Sequence, residues 1–186
     1  MKIVFIRHGH TSGNLQKRYI GRTDEPLCPE GRNSLSRRDY PKCEVLVCSP
    51  MLRCIQTAQL LFPNQRIVTF DDLRECDFGG FEGKNYIELS GNSDYQKWID
   101  SGGNMSFPGG ESQQSFRERC ISAFDLIAEK YSTSRSVCLV VHGGTIMSIL
   151  EKYAVPRSSY YDWNCENGRG YICEWNGSEL HITERI

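Results

Sequence analysis

The sequence predicts an α/β fold: a single-domain, three-layer sandwich with a mostly parallel central sheet covered by helices on both faces, a small lid insertion and a C-terminal hairpin. Three observations carry this. Short apolar runs of strand character alternate with stretches of helical periodicity. The runs at 2–6, 44–48 and 136–141 are apolar at nearly every position, as strands buried on both faces are. No composition break, linker or internal repeat divides the 186 residues, so 1–186 is expected to fold as one unit with a substantial core.

Residues 2–6 form the first strand, which stops at Arg7-His8-Gly9. A polar turn follows, in which Thr11 or Ser12 can cap a helix. Tyr19 to Gly31 reads as loop, punctuated by Gly21, Pro26, Pro29 and Gly31. Asn33 to Tyr40 reads as the end of a short helix that stops before Pro41. Glu44 to Cys48 is a second buried strand, and Pro50 suits the first turn of the next helix, 51–62. There Met51, Ile55, Ala58 and Leu61 or Phe62 form the buried stripe, with Arg53 off it.

Arg66 to Phe70 is a third strand. Residues 71–83 are too acidic and glycine-rich for a regular element, and 84–110 read as short helices joined by loops, a lid over a site. Glu111 to Tyr131 is the clearest helix, with Phe116, Cys120, Ala123, Phe124, Ile127 and Ala128 at helical spacing. Ser136 to Val141 is another buried strand. His142-Gly143-Gly144-Thr145 opens a helix whose stripe is Ile146, Ile149, Leu150 and Tyr153. Tyr171 to Trp175 and Glu179 to Thr183 read as a hairpin with a tight Asn176-Gly177 turn.

Composition narrows the function classes. With 39% hydrophobic and 24% charged residues and a formal net charge of −1, the chain has no general attraction for nucleic acid or an anionic membrane. No apolar run can span a bilayer. Lys2 precedes only four apolar residues before Arg7, so no signal peptide is read. The nine cysteines are odd in number and include no Cys-x-x-Cys pair. Cys48 and Cys138 lie in strand-like runs, so the thiols are expected to be reduced in a cytoplasmic protein. Nothing in the sequence bears on oligomeric state.

Two strands share a peculiarity: 2–6 and 136–141 both run apolar and then deliver a histidine followed by glycine. If both are central and parallel, His8 and His142 emerge at one sheet edge, where open α/β sheets build their sites. Ser49-Pro50 and Arg53 leave that edge after the second strand, and Glu75 after the third. Two arginines beside two histidines make a cationic pocket suited to a phosphate-like dianion. That charge keeps His8 unprotonated and able to attack. Glu75 can protonate a leaving oxygen and then deprotonate water. The set describes two-step phosphomonoester hydrolysis with no metal and no cofactor.

At these residues the sequence resembles the histidine phosphatase superfamily, which includes the cofactor-dependent phosphoglycerate mutases. Arg7-His8-Gly9 with Thr11 and Asn14 is similar to its N-terminal signature. Ser49-Pro50-x-x-Arg53-x-x-Gln56-Thr57-Ala58, Leu73-Arg74-Glu75-x-x-Phe78-Gly79-x-x-Glu82-Gly83, Pro108-Gly109-Gly110-Glu111-Ser112 and Val141-His142-Gly143-Gly144 match later blocks in the same order. The resemblance implies His8 as the phosphorylated nucleophile and Glu75 as acid/base. Arg7, Arg53 and His142 would stabilise the transferring group, with Thr11, Asn14, Gly21 and Gly143 at the substrate. His10 and Cys28 depart from the pattern.

Within the superfamily, Gly21-x-Thr23-Asp24-x-Pro26-Leu27 and Phe78-Gly79-x-x-Glu82-Gly83 are most similar to the α-ribazole phosphatase and general-phosphatase branch. The expected partner is a small phosphorylated metabolite, with α-ribazole 5'-phosphate one candidate. A mutase is the alternative, but 84–107 offer only Lys84 and Lys97 as cations for a substrate carboxylate. Two readings of other classes remain: a zinc hydrolase using His8-x-His10 and His142, and a phospho-ligand-binding protein with a silent site. Lys17-Arg18 and Arg37-Arg38 read as solvated, although Lys17, Arg18 and Arg22 can extend the positive field. His181 has no evident role.

Overall fold

The computed structural model describes residues 1–37, 39–103 and 105–186; Arg38, expected to be solvated, lies outside them. In chain order the elements are β1 (Lys2–Arg7), α1 (Ser12–Leu15), α2 (Pro29–Leu35), β2 (Val45–Cys48), α3 (Leu52–Leu61), β3 (Ile67–Thr69), α4 (Ser93–Asp100), α5 (Gln113–Lys130), β4 (Ser136–Val141), α6 (Gly143–Tyr153), β5 (Ala154–Val155), β6 (Gly170–Trp175) and β7 (Leu180–Arg185). Single 3-10 turns occupy Asp71–Leu73, Gly79–Phe81 and Tyr160–Trp163.

The seven strands form one sheet in the order β3-β2-β4-β1-β6-β7-β5. The half that carries the expected site is parallel: β3 on β2, β2 on β4, β4 on β1. The β6–β7 hairpin extends this sheet, with β6 antiparallel to β1. Register places the chemistry. Arg7 pairs with Val141 and Cys48 with Val140, so His8, Ser49 and His142 leave the same edge.

Alternation along the strands separates two cores. Ile3, Phe5, Val137, Leu139 and Val141 pack with Phe124, Ile127, Ile146 and Ile149, the inner faces of α5 and α6. Val4, Ile6, Leu46, Cys48, Cys138 and Val140 pack with Cys54 and Ala58 of α3 on the other side. A third cluster lies off the sheet: Phe81, Leu89, Phe107, Phe116 and Cys120, with Tyr19, Phe78, Tyr95 and Trp98 against it. It anchors the 71–110 segment; within it 84–110, read as short helices joined by loops, holds one α-helix among the described residues, α4, capped by the Asn92 side chain at the Asp94 and Tyr95 amides.

Several local expectations are corrected. The second helix begins at Pro29 and ends at Leu35, earlier than the reading of 33–40. Cys28 caps it, its Sγ accepting from the Gly31 amide at 3.3 Å, and Pro29 supplies a fixed φ where no N–H is needed. At α1 the cap is Thr11, one of the two candidates expected, in a reciprocal box with Asn14. The third strand is shorter, Ile67–Thr69.

The hairpin connection is wider than a two-residue Asn-Gly turn. Asn176 Oδ1 accepts from the Ser178 and Glu179 amides, and that Asx geometry draws four residues into the turn. The two-residue strand β5, pairing with β7, is too short to leave a periodic signal. All nine cysteines are free. Among the described residues no helix is long and apolar enough to cross a membrane.

Candidate active site

His8 is 3% exposed and held from all sides. Its amide donates to the Val141 carbonyl at 3.0 Å. Its ring Nδ1 lies 2.7 Å from the Gly9 carbonyl; because a carbonyl only accepts, the proton is on Nδ1 and the lone pair on Nε2. The Gly9 amide donates to Thr57 Oγ1 at 3.0 Å, and that hydroxyl donates to the Arg53 carbonyl at 2.7 Å. His142 stands edge-on to His8, ring centroids 5.2 Å apart, with Ser49 Oγ 2.8 Å from its Nε2. Burial, followed by the Arg53 charge, holds both imidazoles well below the usual 6.5. Both are neutral at physiological pH.

Arg53 has no exposed surface. Its guanidinium donates to the carbonyls of Thr23 (2.9 Å), Gly21 (3.0 Å) and Ile20 (3.4 Å). Arg7 donates from Nη1 to the Cys165 carbonyl at 2.6 Å. Neither guanidinium forms an ion pair among the described residues, and the Nε of each is buried without a partner. Buried charge that protein does not neutralise is costly, and here it is concentrated beside one imidazole pair.

Glu75 accepts from the Cys76 amide at 3.0 Å. Burial raises its pKa above the ordinary carboxylate value, against the opposing pull of the Cys76 amide, Arg53, Arg7 and the Gly144 amide. A Cβ at Gly144 would lie 2.6 Å from Glu75 Oε1, so only glycine admits this approach. Arg7, Glu75, Gly143 and Gly144 line one cleft of about 330 Å³ together with Tyr19, Phe78, Trp98, Phe107, Phe116, Tyr160 and Tyr161. Gly143 begins α6 directly after His142, where first-turn amides are unpaired within the helix.

The remaining expected residues have distinct placements. Asn14 Oδ1 accepts from the Thr11 amide (3.1 Å) and Asn167 Nδ2 (3.2 Å), which fixes its amide and leaves its NH2 as a donor. Thr11 is fully buried, and its hydroxyl accepts from the Asn14 amide at 3.2 Å; it holds Asn14. The Gly21 amide, expected at a phosphate oxygen, instead donates to Glu82 Oε1 at 2.8 Å. Arg18 and Arg22 do not extend the positive field, because Glu88 and Asp77 pair with them. His181 pairs with Glu179. Among the described residues no three His, Cys, Asp or Glu side chains are grouped to hold a metal ion.

Three positioning residues were not singled out from the sequence. Asn167, 7% exposed, donates to the His8 carbonyl at 3.0 Å as well as to Asn14. Arg119 grips Glu111 with Nε and Nη2 and also donates to the carbonyls of Asp72, Arg74 and Glu75, shaping the turn that presents Glu75. Ser49 was seen only as part of a motif. Ser49 had a signal in its strand-end position; Asn167 in a loop and Arg119 beside a helix stripe had none.

The histidine phosphatase superfamily (branch 1) family model matches residues 3–185. The chain belongs to this superfamily. Histidine phosphatases are enzymes, and this chain is one of them. It is 31% identical over 162 residues to phosphoglycerate mutase-like protein 4 of Arabidopsis thaliana, covering 81% of this chain and 70% of that one. It is 25% identical over 178 residues to the adenosylcobalamin/α-ribazole phosphatase of Salmonella typhimurium, covering 90% and 87%. The α-ribazole phosphatase structure from Shigella flexneri shares the fold, with a TM-score of 0.84 at 21% identity over 98% of this chain and 95% of that one. The histidine phosphatase fold thus accounts for the sheet order and the edge at which His8 and His142 meet.

Proposed function

We propose that the protein is a metal-independent phosphomonoesterase that works through a phosphohistidine on His8. The observation that carries this reading is the pair of unneutralised guanidiniums, Arg7 and Arg53, each with a buried unpaired Nε, beside an imidazole whose Nδ1 is tied to Gly9. A phosphoryl group supplies the negative charge and acceptor oxygens that these donors lack. The Asn14 NH2 and the Gly143 amide at the start of α6 add donors for the same oxygens.

In the first step Nε2 of His8 attacks phosphorus, an N–P bond forms and the ester P–O bond breaks. Glu75, whose burial favours the protonated form, gives its proton to the leaving oxygen. In the second step the resulting carboxylate takes a proton from water as that water attacks phosphorus. The N–P bond breaks, phosphate departs and His8 returns to its neutral tautomer. His142 and the arginines stabilise charge on the equatorial oxygens in both steps.

Hydrolysis is favoured over mutase transfer because the cap segment offers no cation to a substrate carboxylate. Lys84 donates to the Gly80 carbonyl and Lys97 pairs with Asp94, both exposed. The cleft beyond Glu75 is aromatic instead. In this reading 1–186 act as one histidine phosphatase domain and 84–110 form the specificity lid, with Trp98 and Phe107 on its inner side. The Salmonella relative's name and the aromatic wall make α-ribazole 5'-phosphate the first substrate to try. The free cysteines suit a reducing cytoplasmic setting.

The test is a quench in alkali after mixing with a 32P-labelled phosphomonoester. Label retained on His8, lost in acid and absent from His8→Ala is the expected result. Label on serine, or none in a single turnover, overturns the mechanism. Release of no phosphate from a broad metabolite panel would support a silent phospho-ligand site.

A further inference from the structure

Glu82 lies outside the roles assigned above, yet its carboxylate is used in an unusual way. One oxygen, Oε1, accepts from both the Gly21 amide (2.8 Å) and the Thr23 amide (2.9 Å). The other, Oε2, is buried with no partner. A carboxylate held this way gives up part of its own hydrogen bonding, so the arrangement must be set by what it holds.

What it holds is the loop that cradles Arg53. The three carbonyls that receive that guanidinium belong to Ile20, Gly21 and Thr23. The peptide joining Ile20 to Gly21 has its N–H on Glu82 and its C=O on Arg53, so a single peptide dipole links the half-buried carboxylate to the buried guanidinium. The loop has little freedom otherwise: a Cβ on Gly21 would fall 1.9 Å from the Cys76 carbonyl oxygen. Residues 82–85 also run beside 18–21, with the Gly83 amide on the Tyr19 carbonyl (2.8 Å) and the Tyr19 amide on the Lys84 carbonyl (2.9 Å).

We propose that Glu82 is a positioning residue for the phosphoryl site, fixing Arg53 by pinning the carbonyl cradle at residues 20–23. The proposal rests on the reading of Arg53 as a phosphoryl ligand. Glu82 acts as a hydrogen-bond acceptor at a fixed reach, and its charge is secondary. A glutamine keeps the acceptor oxygen at the same reach, whereas an aspartate keeps the charge and draws the oxygens back by one methylene.

The experiment measures the inhibition constant of inorganic phosphate and kcat/KM for p-nitrophenyl phosphate in Glu82→Gln, Glu82→Asp, Glu82→Ala, Arg53→Ala and the Glu82→Asp/Arg53→Ala double variant. Glu82→Asp and Glu82→Ala should weaken phosphate binding at least tenfold, and Glu82→Gln should rescue it to within threefold of wild type. In the Arg53→Ala background Glu82→Asp should add less than twofold. If Glu82→Ala does not fold, the Gln and Asp pair still decides. Equal weakening by Gln and Asp, or full additivity with Arg53→Ala, overturns the positioning role while leaving the Arg53 assignment standing. No effect of Arg53→Ala on phosphate overturns that assignment, and the proposal with it.

Discussion

His8 gives its Nδ1 proton to the carbonyl of its neighbour Gly9 at 2.7 Å, so the backbone itself selects the tautomer that leaves Nε2 free to attack. The same environment sets acid stability. His8 and His142 are held well below 6.5 by burial and by Arg53, while in the unfolded chain both titrate near that value. Below it the unfolded state binds protons that the folded state does not. Their contribution is therefore fully present above pH 6.5 and drains as pH falls toward the folded pKa values.

Chemical denaturation from pH 7.5 to 5 should show stability falling on the acid side: two imidazoles contribute a slope of up to about 2.7 kcal/mol per pH unit, which Glu75, binding its proton more readily in the folded state, offsets in part. His142→Gln should remove one imidazole's share of that slope, up to about 1.4 kcal/mol per pH unit. A pH-independent unfolding free energy across this range would contradict the buried neutral pair.

Burial shifts Glu75 toward its protonated form, outweighing the pull of the Cys76 amide and the arginines. Its proton matters only where the leaving group is a poor one. In the first step, read as alcohol released in a single turnover, Glu75→Gln should slow departure of an alkyl leaving group by about 10²–10⁴-fold and of p-nitrophenol by far less. Wild-type turnover of the alkyl ester should fall as pH rises through the elevated Glu75 pKa, with no such limb for the nitrophenyl ester. Equal slowing of both esters would remove Glu75 from the acid role.

Asn167 ties two separate parts of the site together, donating to the His8 carbonyl and to Asn14 Oδ1. Asn167→Ala leaves a buried carbonyl with one donor fewer, at a cost of about 1–3 kcal/mol, readable as a lower midpoint in thermal or urea unfolding. Asn14 also loses the contact that orients its amide. KM should therefore rise more than kcat falls, because the nucleophile keeps its Gly9 bond. A variant of wild-type stability and KM would show that Asn167 fills space only.

The sequence exposed candidate site residues where they directly follow a strand end. His8 and His142 each follow an apolar strand directly, so the parallel register of β1 and β4 was enough to bring them together. Arg53 and Glu75 were legible through the motifs around them. Residues that act through long-range hydrogen bonds left no trace, because Asn167 reaches His8 across 159 positions and no local pattern encodes that contact. Gly21 was placed at the site, but the acceptor of its amide is Glu82, from a glycine-rich acidic stretch whose residues look alike in sequence. Helix α2 was misplaced because its cap is Cys28, a thiol where a hydroxyl or amide side chain would have announced the start.

Trp98 makes the substrate question measurable. Its indole stacks on Phe107 at 5.2 Å between centroids and 30° between planes, it lines the cleft that reaches Glu75, and its Nε1 is buried with no protein partner. The ring offers area to a flat leaving group. Trp98→Ala should raise KM for a benzyl or nucleoside-like phosphate about tenfold, the equivalent of 1.4 kcal/mol, while methyl phosphate, too short to reach the wall, stays within twofold. Trp98→Phe, which keeps an aromatic face, should spare a benzyl ester. If methyl phosphate suffers as much as the ring esters, Trp98 supports the lid's packing and does not select the substrate.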